Sequence, residues 1–186
     1  MNIFVLDRDP QRAARYHCDR HVVKMPLETA QLLSTALWCL TPGRAPMWQK
    51  QGSIYRPTHR RHPCVLWTVH CLANFRWLTR LGVALLAEYS YRYGKRHGSG
   101  GVIGFAAEFA QAPLLPVRSW APARRVTPFA QAMPEQYRRD DAVAAYRAYY
   151  LGEKASFASW TRRRTPCWYA TGLRTRAGEH RAVDYV

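Results

Sequence analysis

The residues best suited to chemistry lie in one run, HCDRHVVKMPLETAQ, from His17 to Gln31. On a helix, His17, His21, Lys24, Glu28 and Gln31 follow one another at steps of four, three, four and three, so they share one face. Val22, Val23, Leu27, Ala30, Leu33 and Leu37 fill much of the remaining circumference, which predicts a well-buried helix carrying a polar stripe. Imidazoles, an ammonium and a carboxylate withdrawn from water need partners or a cleft, and that makes the stripe the candidate active site. Glu28, beside Lys24 and His21, would stay ionised and accept a proton, while the cations would hold an anionic leaving group. The competing reading is a solvated face with a Lys24–Glu28 pair worth about 0.3–0.5 kcal/mol.

Further candidates come from other segments. YRPTHRRHP gathers Arg56, His59, Arg60, Arg61 and His62 just before Pro63, where the free amides of a starting helix also favour anions. Asn74, four residues after His70, is placed on the following helix to reach the same cleft. EYSYRYGKRH brings Arg92, Lys95 and Arg96 to a helix end, and WTRRRTPCWY sets Arg162, Arg163 and Arg164 beside Trp168, the mixture that pairs with phosphates and stacks on bases. His17, Cys18 and His21, and separately His59, His62 and Cys64, have local spacings that ligate zinc. A full ligand set would have to be assembled from distant segments, so no metal is predicted. The glycine-rich stretch 98–104 lacks the lysine and spacing of a phosphate-binding loop.

The elements that must carry these residues read as helices. IFVL at 3–6 is a short strand or an extended core segment. Asp9 and Pro10 start a helix or helix pair that runs to about Leu40, with Pro26 as kink or restart. Residues 41–62 read as a loop, and Pro63 to about Lys95 as helical, with Gly82 a candidate dividing point. A helix of about ten residues follows the 98–104 loop from Phe105. A proline-punctuated connection then runs through 134, and Asp140 or Asp141 starts another helix. The fold class is mainly α, a single domain spanning 1–186 with roughly five to seven helices and little or no sheet.

Composition narrows the partner. Against 12 Asp and Glu stand 28 Lys and Arg, for a net charge of +16 and a pI of about 10.3. A polyanion is the natural partner, and nucleic acid is the commonest. Five cysteines without a C-x-x-C pair read as reduced thiols. With no signal peptide and no membrane span, the expectation is a soluble cytoplasmic protein.

NIFVLDRDP, YHCDRHVVKMPLETAQLLSTA, HRRHPCVLW, EYSYRYGKRH, TPFAQAMPEQYR and WTRRRTPCWY resemble, in that order, a family of phage-encoded proteins. That family is related to the amino acid:DNA transferases of thymine hypermodification, which replace the pyrophosphate of 5-(pyrophosphomethyl)deoxyuridine in DNA with an amino acid. The layout is also similar, more remotely, to the small all-helical pyrimidine-dimer DNA glycosylases of phages, which bend duplex DNA and flip a nucleotide out.

The resemblance implies double-stranded DNA and a small amino acid, glycine, as partners. It implies no cofactor beyond a divalent ion on the pyrophosphate, no membrane, and the cytoplasm of an infected host. In the transferase reading His17, His21, Lys24 and the 56–61 cations neutralise the pyrophosphate, with Gln31, His62 and Asn74 lining the pocket. Glu28, with Asp19 or Asp7, deprotonates the incoming amino acid. In the glycosylase alternative Glu28 matches the catalytic glutamate, His62 the H-P step and Trp168-Tyr169 the late aromatic pair. Those glycosylases use the α-amine of a small second residue exposed by removal of Met1. Residue 2 is Asn here, too large for that removal, so the free amine would stay on Met1. A non-catalytic basic nucleic-acid-binding protein is the second alternative.

Overall fold

Asp9 and Pro10 open the first helix for the expected reasons: the Asp9 carboxylate accepts from the Arg12 amide, and Pro10 occupies the first turn, where its missing N–H is no loss. The computed structural model describes residues 1–111 and 120–183, with side chains as far as Thr175. Among them are eight α-helices: α1 (Pro10–Tyr16), α2 (Asp19–Leu40), α3 (Ala45–Lys50), α4 (Pro63–His70), α5 (Leu72–Tyr93), α6 (Gly100–Gln111), α7 (Ala142–Glu153) and α8 (Cys167–Val183). A 3-10 turn spans Glu135–Tyr137, and no strand occurs among the described residues. The mainly α class is what the sequence predicts, with one helix more than the expected range.

Several boundaries differ from expectation. The break in the first long helical stretch falls at His17-Cys18, and α2 continues straight through Pro26. His17 therefore stands outside α2 and cannot share its face. The loop 41–62 contains α3, and the division of 63–95 falls at Cys71 instead of Gly82. There the carbonyl of His70 accepts from the Ala121 amide, 2.8 Å away, and Cys71 is extended. Gly82 stays helical because α2 and α6 close on it: a Cβ built there would lie 2.9 Å from Thr29 Cγ2 and 3.1 Å from Ile103 Cγ2. Helix α6 begins at Gly100, so the glycine-rich stretch is its first turn. The seventh helix starts where Asp141 caps the Ala144 amide, but it ends at Glu153, well before the arginines.

The second long helix of the bundle, α5, packs against α1, α2, α4 and α6, and α7 packs against α8. Met25, Leu32, Leu33, Phe75, Leu78 and Leu81 form the centre of the core. The extended segment 2–6 runs into this core with every residue buried. Phe4 adopts φ 36°, a left-handed conformation unfavourable for a bulky side chain. The strain is held because its ring is enclosed by His17, His21, Tyr146, Tyr149 and Tyr150. All five cysteines are free thiols. No helix among the described residues is long and apolar enough to cross a membrane.

Candidate active site

The site grows from the buried N-terminal segment. The Asn2 backbone N–H donates to Glu28 Oε2 at 2.9 Å, and Lys24 Nζ donates to Glu28 Oε1 at 2.9 Å from one turn earlier on α2. Glu28 is 8% exposed while the Lys24 side chain is largely in solvent, so the carboxylate sits at the boundary between core and surface. Asn2 is itself fixed. Its Oδ1 accepts from the Ile3 amide and from Tyr146 Oη, and its Nδ2 donates to the Ala132 carbonyl. Tyr146 Oη also lies 2.8 Å from the Ala130 carbonyl, so its single proton is shared between that carbonyl and Asn2 Oδ1, and it accepts from the Ala132 amide; residues 130–132 thereby join α7 to the N-terminus. TPFAQAMP thus contributes backbone that fixes residue 2, a role that no local signal in those residues announces.

The basic loop reaches the same place. Thr35 Oγ1, on α2 seven residues beyond Glu28, donates its one proton to the Gln31 carbonyl at 2.8 Å, with the Thr58 carbonyl at 3.2 Å, and accepts from the Thr58 amide. Ser34 Oγ accepts from the Tyr55 amide, and Trp38 donates to the Tyr55 carbonyl. These bonds lay the 54–62 segment along the second half of α2. His62 caps α4 by accepting from the Cys64 amide. Its pKa is lowered by partial burial first and then by the positive charges of the N-terminal amine and His59, while Glu28 works in the opposite direction. The α-amine, His62 and Glu28 are therefore electrostatic neighbours. His59, at φ 48°, Arg60 and Arg61 are exposed, with Arg60 reaching over the Trp38 ring. Arg56 is exposed on the same loop and Gln31 is partly exposed.

Other expected members lie elsewhere. His17 is fully buried, its Nδ1 bonded to the Ala13 carbonyl and its Nε2 unpartnered; burial lowers its pKa to about 4. His21 bonds Tyr150 Oη through Nδ1, with a pKa of about 3, lowered first by burial and then by His17. Two neutral imidazoles in an aromatic cage cannot neutralise a pyrophosphate, because burial disfavours the cation. The polar stripe is thus divided: its first two members belong to the core, and Lys24, Glu28 and Gln31 face out.

Asp19 accepts from Arg92, Ser159 and Thr161, and these bonds hold its carboxyl below the usual range despite partial burial. Asp7 pairs with Arg12 and Arg147. Asn74 is satisfied: its Nδ2 donates to the Trp67 carbonyl and to Thr127 Oγ1, and its Oδ1 accepts from the Thr127 amide. None of these three lies at Glu28 through a described contact.

The expected DNA contacts divide in the same way. Arg92 is 2% exposed and bonds Glu88, Asp19 and the Arg15 carbonyl, which removes it from any surface. Arg163 donates twice to Glu88 and lies over Tyr91. Trp168 packs between Tyr16, Tyr150 and Tyr169 under Arg147, leaving it unsuited to stacking on a base. Lys95, Arg96, Arg162 and Arg164 are exposed.

Between Pro10 and Gly98 the chain carries fourteen Lys and Arg against three acids, Asp19, Glu28 and Glu88. All three acids are already paired with cations. Apart from Arg12, which pairs with Asp7, the remaining basic side chains of this half face solvent with no acidic partner among the described residues, the electrostatic footprint of a nucleic-acid surface.

Among the described residues no cluster of three His, Cys, Asp or Glu is arranged to hold a metal ion. A groove of about 860 Å³ lies on another face, between α1, α5 and α6, and excludes Glu28. Chemistry, not concavity, selects the Glu28 site.

Residues 1–98 match the model of a protein family described as pyrimidine dimer DNA glycosylase. The match contains the N-terminal segment, α2 with Glu28, the basic loop and α5. Searches of curated proteins and of solved structures returned no match.

Proposed function

The chain belongs to the pyrimidine dimer DNA glycosylase family, and on that premise we propose that it draws a pyrimidine nucleotide out of duplex DNA to Glu28 and breaks the base–sugar bond. The observation that carries this reading is the buried Glu28 carboxylate held between the residue-2 nitrogen and Lys24. As the bond from C1′ to the base breaks, the base leaves with the electron pair and the sugar acquires positive charge. A preorganised carboxylate beside it stabilises that charge, and the cations of the 56–62 loop grip the flanking phosphates. Water, or an amine at the N-terminus, then bonds to C1′.

A second reading rests on Asn2. In this chain the nitrogen against Glu28 is a peptide N–H, and the Asn2 side chain that follows it is locked by three bonds. Amine chemistry at residue 2 is not available while Met1 is attached. The same carboxylate, with Lys24 and the loop cations beside it, suits transfer of an amino acid, glycine by resemblance, onto 5-(pyrophosphomethyl)uracil in DNA. There Glu28 takes the proton of the incoming ammonium and the cations receive the departing pyrophosphate.

One experiment separates the readings. Duplexes carrying a cis-syn thymine dimer, or 5-(pyrophosphomethyl)deoxyuridine with mixed amino acids, are incubated with the protein and the products identified by mass spectrometry. Alkali-labile sites in the first duplex support the glycosylase, and an amino-acid-substituted nucleoside in the second supports the transferase. In either case Glu28→Gln lowers the rate by about 10²–10³-fold while duplex binding persists. Binding without product from either duplex, unchanged by Glu28→Gln, returns the protein to a non-catalytic binder.

A further inference from the structure

Gly82 marks the side of α5 that is turned to α2, since Thr29 Cγ2 stands against it. Arg76, Arg80, Val83, Ala84, Ala87 and Tyr91 lie about 100–180° around the helix from Gly82, on the side turned away from α2 and Glu28. These six residues form the floor of the groove of about 860 Å³, and its walls include Pro10 and Arg15 on α1 and Ala107 and Ala110 on α6. From Arg76 to Tyr91 the floor is about 22 Å long at the rise of an α-helix, or about four turns.

The groove is apolar along its floor and cationic at both ends. Val83 and Tyr91 are each 47% exposed, and the alanines of floor and wall leave the space between α1 and α6 unfilled. Arg76 and Arg80 stand at one end, where Arg76 Nε donates to the Ala110 carbonyl at 3.0 Å. Arg15 stands at the other, its carbonyl bonded to Arg92. The two acids in the lining are already engaged: Asp9 caps α1, and Glu88 is enclosed by Arg92 and Arg163. Arg15, Arg76 and Arg80 are exposed and have no acidic partner among the described residues.

Duplex DNA would meet these arginines with its phosphates but leave the apolar floor empty, and a small metabolite would span only part of the length. An α-helix matches both features. Apolar side chains at three- and four-residue spacing fill the floor, and carboxylates on their flanks meet the arginines at either end. We propose that the groove docks an amphipathic helix of a partner protein, one whose acidic side chains flank an apolar stripe. The partner is held on the side of α5 away from Glu28, so it is recruited to DNA that the Glu28 face has bound. This docking does not depend on which reaction Glu28 serves.

The test uses the full chain with a saturating short duplex, which occupies the basic surface around Glu28. The probe is a fluorescein-labelled helical peptide of about 15 residues, with leucines along one face and glutamates on its flanks, followed by anisotropy. The peptide is expected to bind the protein–duplex complex. Ala87→Trp, which fills the floor at an exposed position, and Arg80→Glu each weaken that binding by about tenfold. Arg44→Glu, an equal charge reversal outside the groove, leaves it unchanged, and Ala87→Trp leaves duplex affinity unchanged. Val83→Ser, which only removes apolar surface, weakens the peptide in the same direction and gives a second reading. Equal binding of a scrambled peptide of the same composition, equal losses with Arg80→Glu and Arg44→Glu, full binding to Ala87→Trp and Val83→Ser, or no binding overturns the proposal. Displacement of the peptide by single-stranded DNA, or a dimer in sedimentation that Ala87→Trp dissociates, gives the groove to nucleic acid or to a second copy and overturns it as well.

Discussion

Two carboxylates in this protein are buried one helical turn from a basic partner, and they have opposite fates. Glu88 on α5 is paired with Arg92, fully buried, and receives two further bonds from Arg163, while Arg92 also spans to Asp19. Burial would raise the Glu88 pKa, but the two guanidiniums hold its carboxyl below the ordinary range. Glu28 on α2 has one lysine, mostly in solvent, and one peptide N–H. The planar, strongly donating arginine closes the first site into a fixed brace. The flexible, hydrated lysine leaves the second with spare acceptor capacity at a surface. Identical spacing along a helix thus gives a structural element in one case and a candidate reactive group in the other, and the partner decides which.

The comparison breaks most visibly at the brace. Arg92→Leu takes from Glu88 one of its two guanidiniums and from Asp19 the guanidinium that reaches it, and is expected to lower unfolding free energy by about 3–5 kcal/mol in urea titrations. A change within about 1 kcal/mol would show that the two regions do not differ in kind.

Acid separates the regions next. His17 and His21 have folded pKa values of about 4 and about 3, below the unfolded value of 6.5. As pH falls below 6.5 the unfolded chain takes up protons first, so the stability present above 6.5 is lost toward pH 4. His17 alone contributes about 3 kcal/mol to this loss. Melting temperature measured from pH 7 to pH 4 should fall, and His17→Gln should flatten the curve.

A smaller effect tests the contact that joins the regions. Gly82 lies on α5 between the brace and Thr29, the residue after Glu28. Gly82→Ala is expected to cost about 1–3 kcal/mol by overpacking, and Thr29→Ser in the same chain, removing the facing methyl, should recover part of it. Strict additivity of the two changes by urea titration would sink the coupling.

The smallest stability effect sharpens the contrast with Arg92. Lys24→Met should change folding stability by less than about 1 kcal/mol, yet lower the slope of log affinity against log salt by about one on duplex DNA. A stability loss as large as that of Arg92→Leu would make Glu28 a second brace.

What the sequence revealed follows the same division between local and distant effects. Helix α2, the Asp9-Pro10 and Asp141 starts and the Lys24–Glu28 pair are local, and spacing with capping chemistry reads them directly. Helical spacing could not tell that His17 and His21 turn toward Tyr150 and Phe4, because those partners come from α7 and from the N-terminal segment. Arg92 and Arg163 carried the residue types of a DNA contact and became a brace: Glu88 stands one turn from Arg92 on α5, but only the fold brings Asp19 and Arg163 to that pair. Residue 2 carried no signal except through resemblance. Its bonds to Glu28, Ala132 and Tyr146 span 26, 130 and 144 positions.

Those separations bear on how the protein is made. Tyr146, which fixes the Asn2 side chain, is synthesised 144 positions after it. Until α7 has been synthesised and docked, the N-terminal segment has no seat and its nitrogen is not presented to Glu28. A chain whose synthesis has passed α5 but not α7 carries α2 and the basic loop without the contacts that hold Asn2 against Glu28. Docking of α7 is therefore the step that sets the N-terminal segment against the carboxylate, a late event for a contact between residues so near in space.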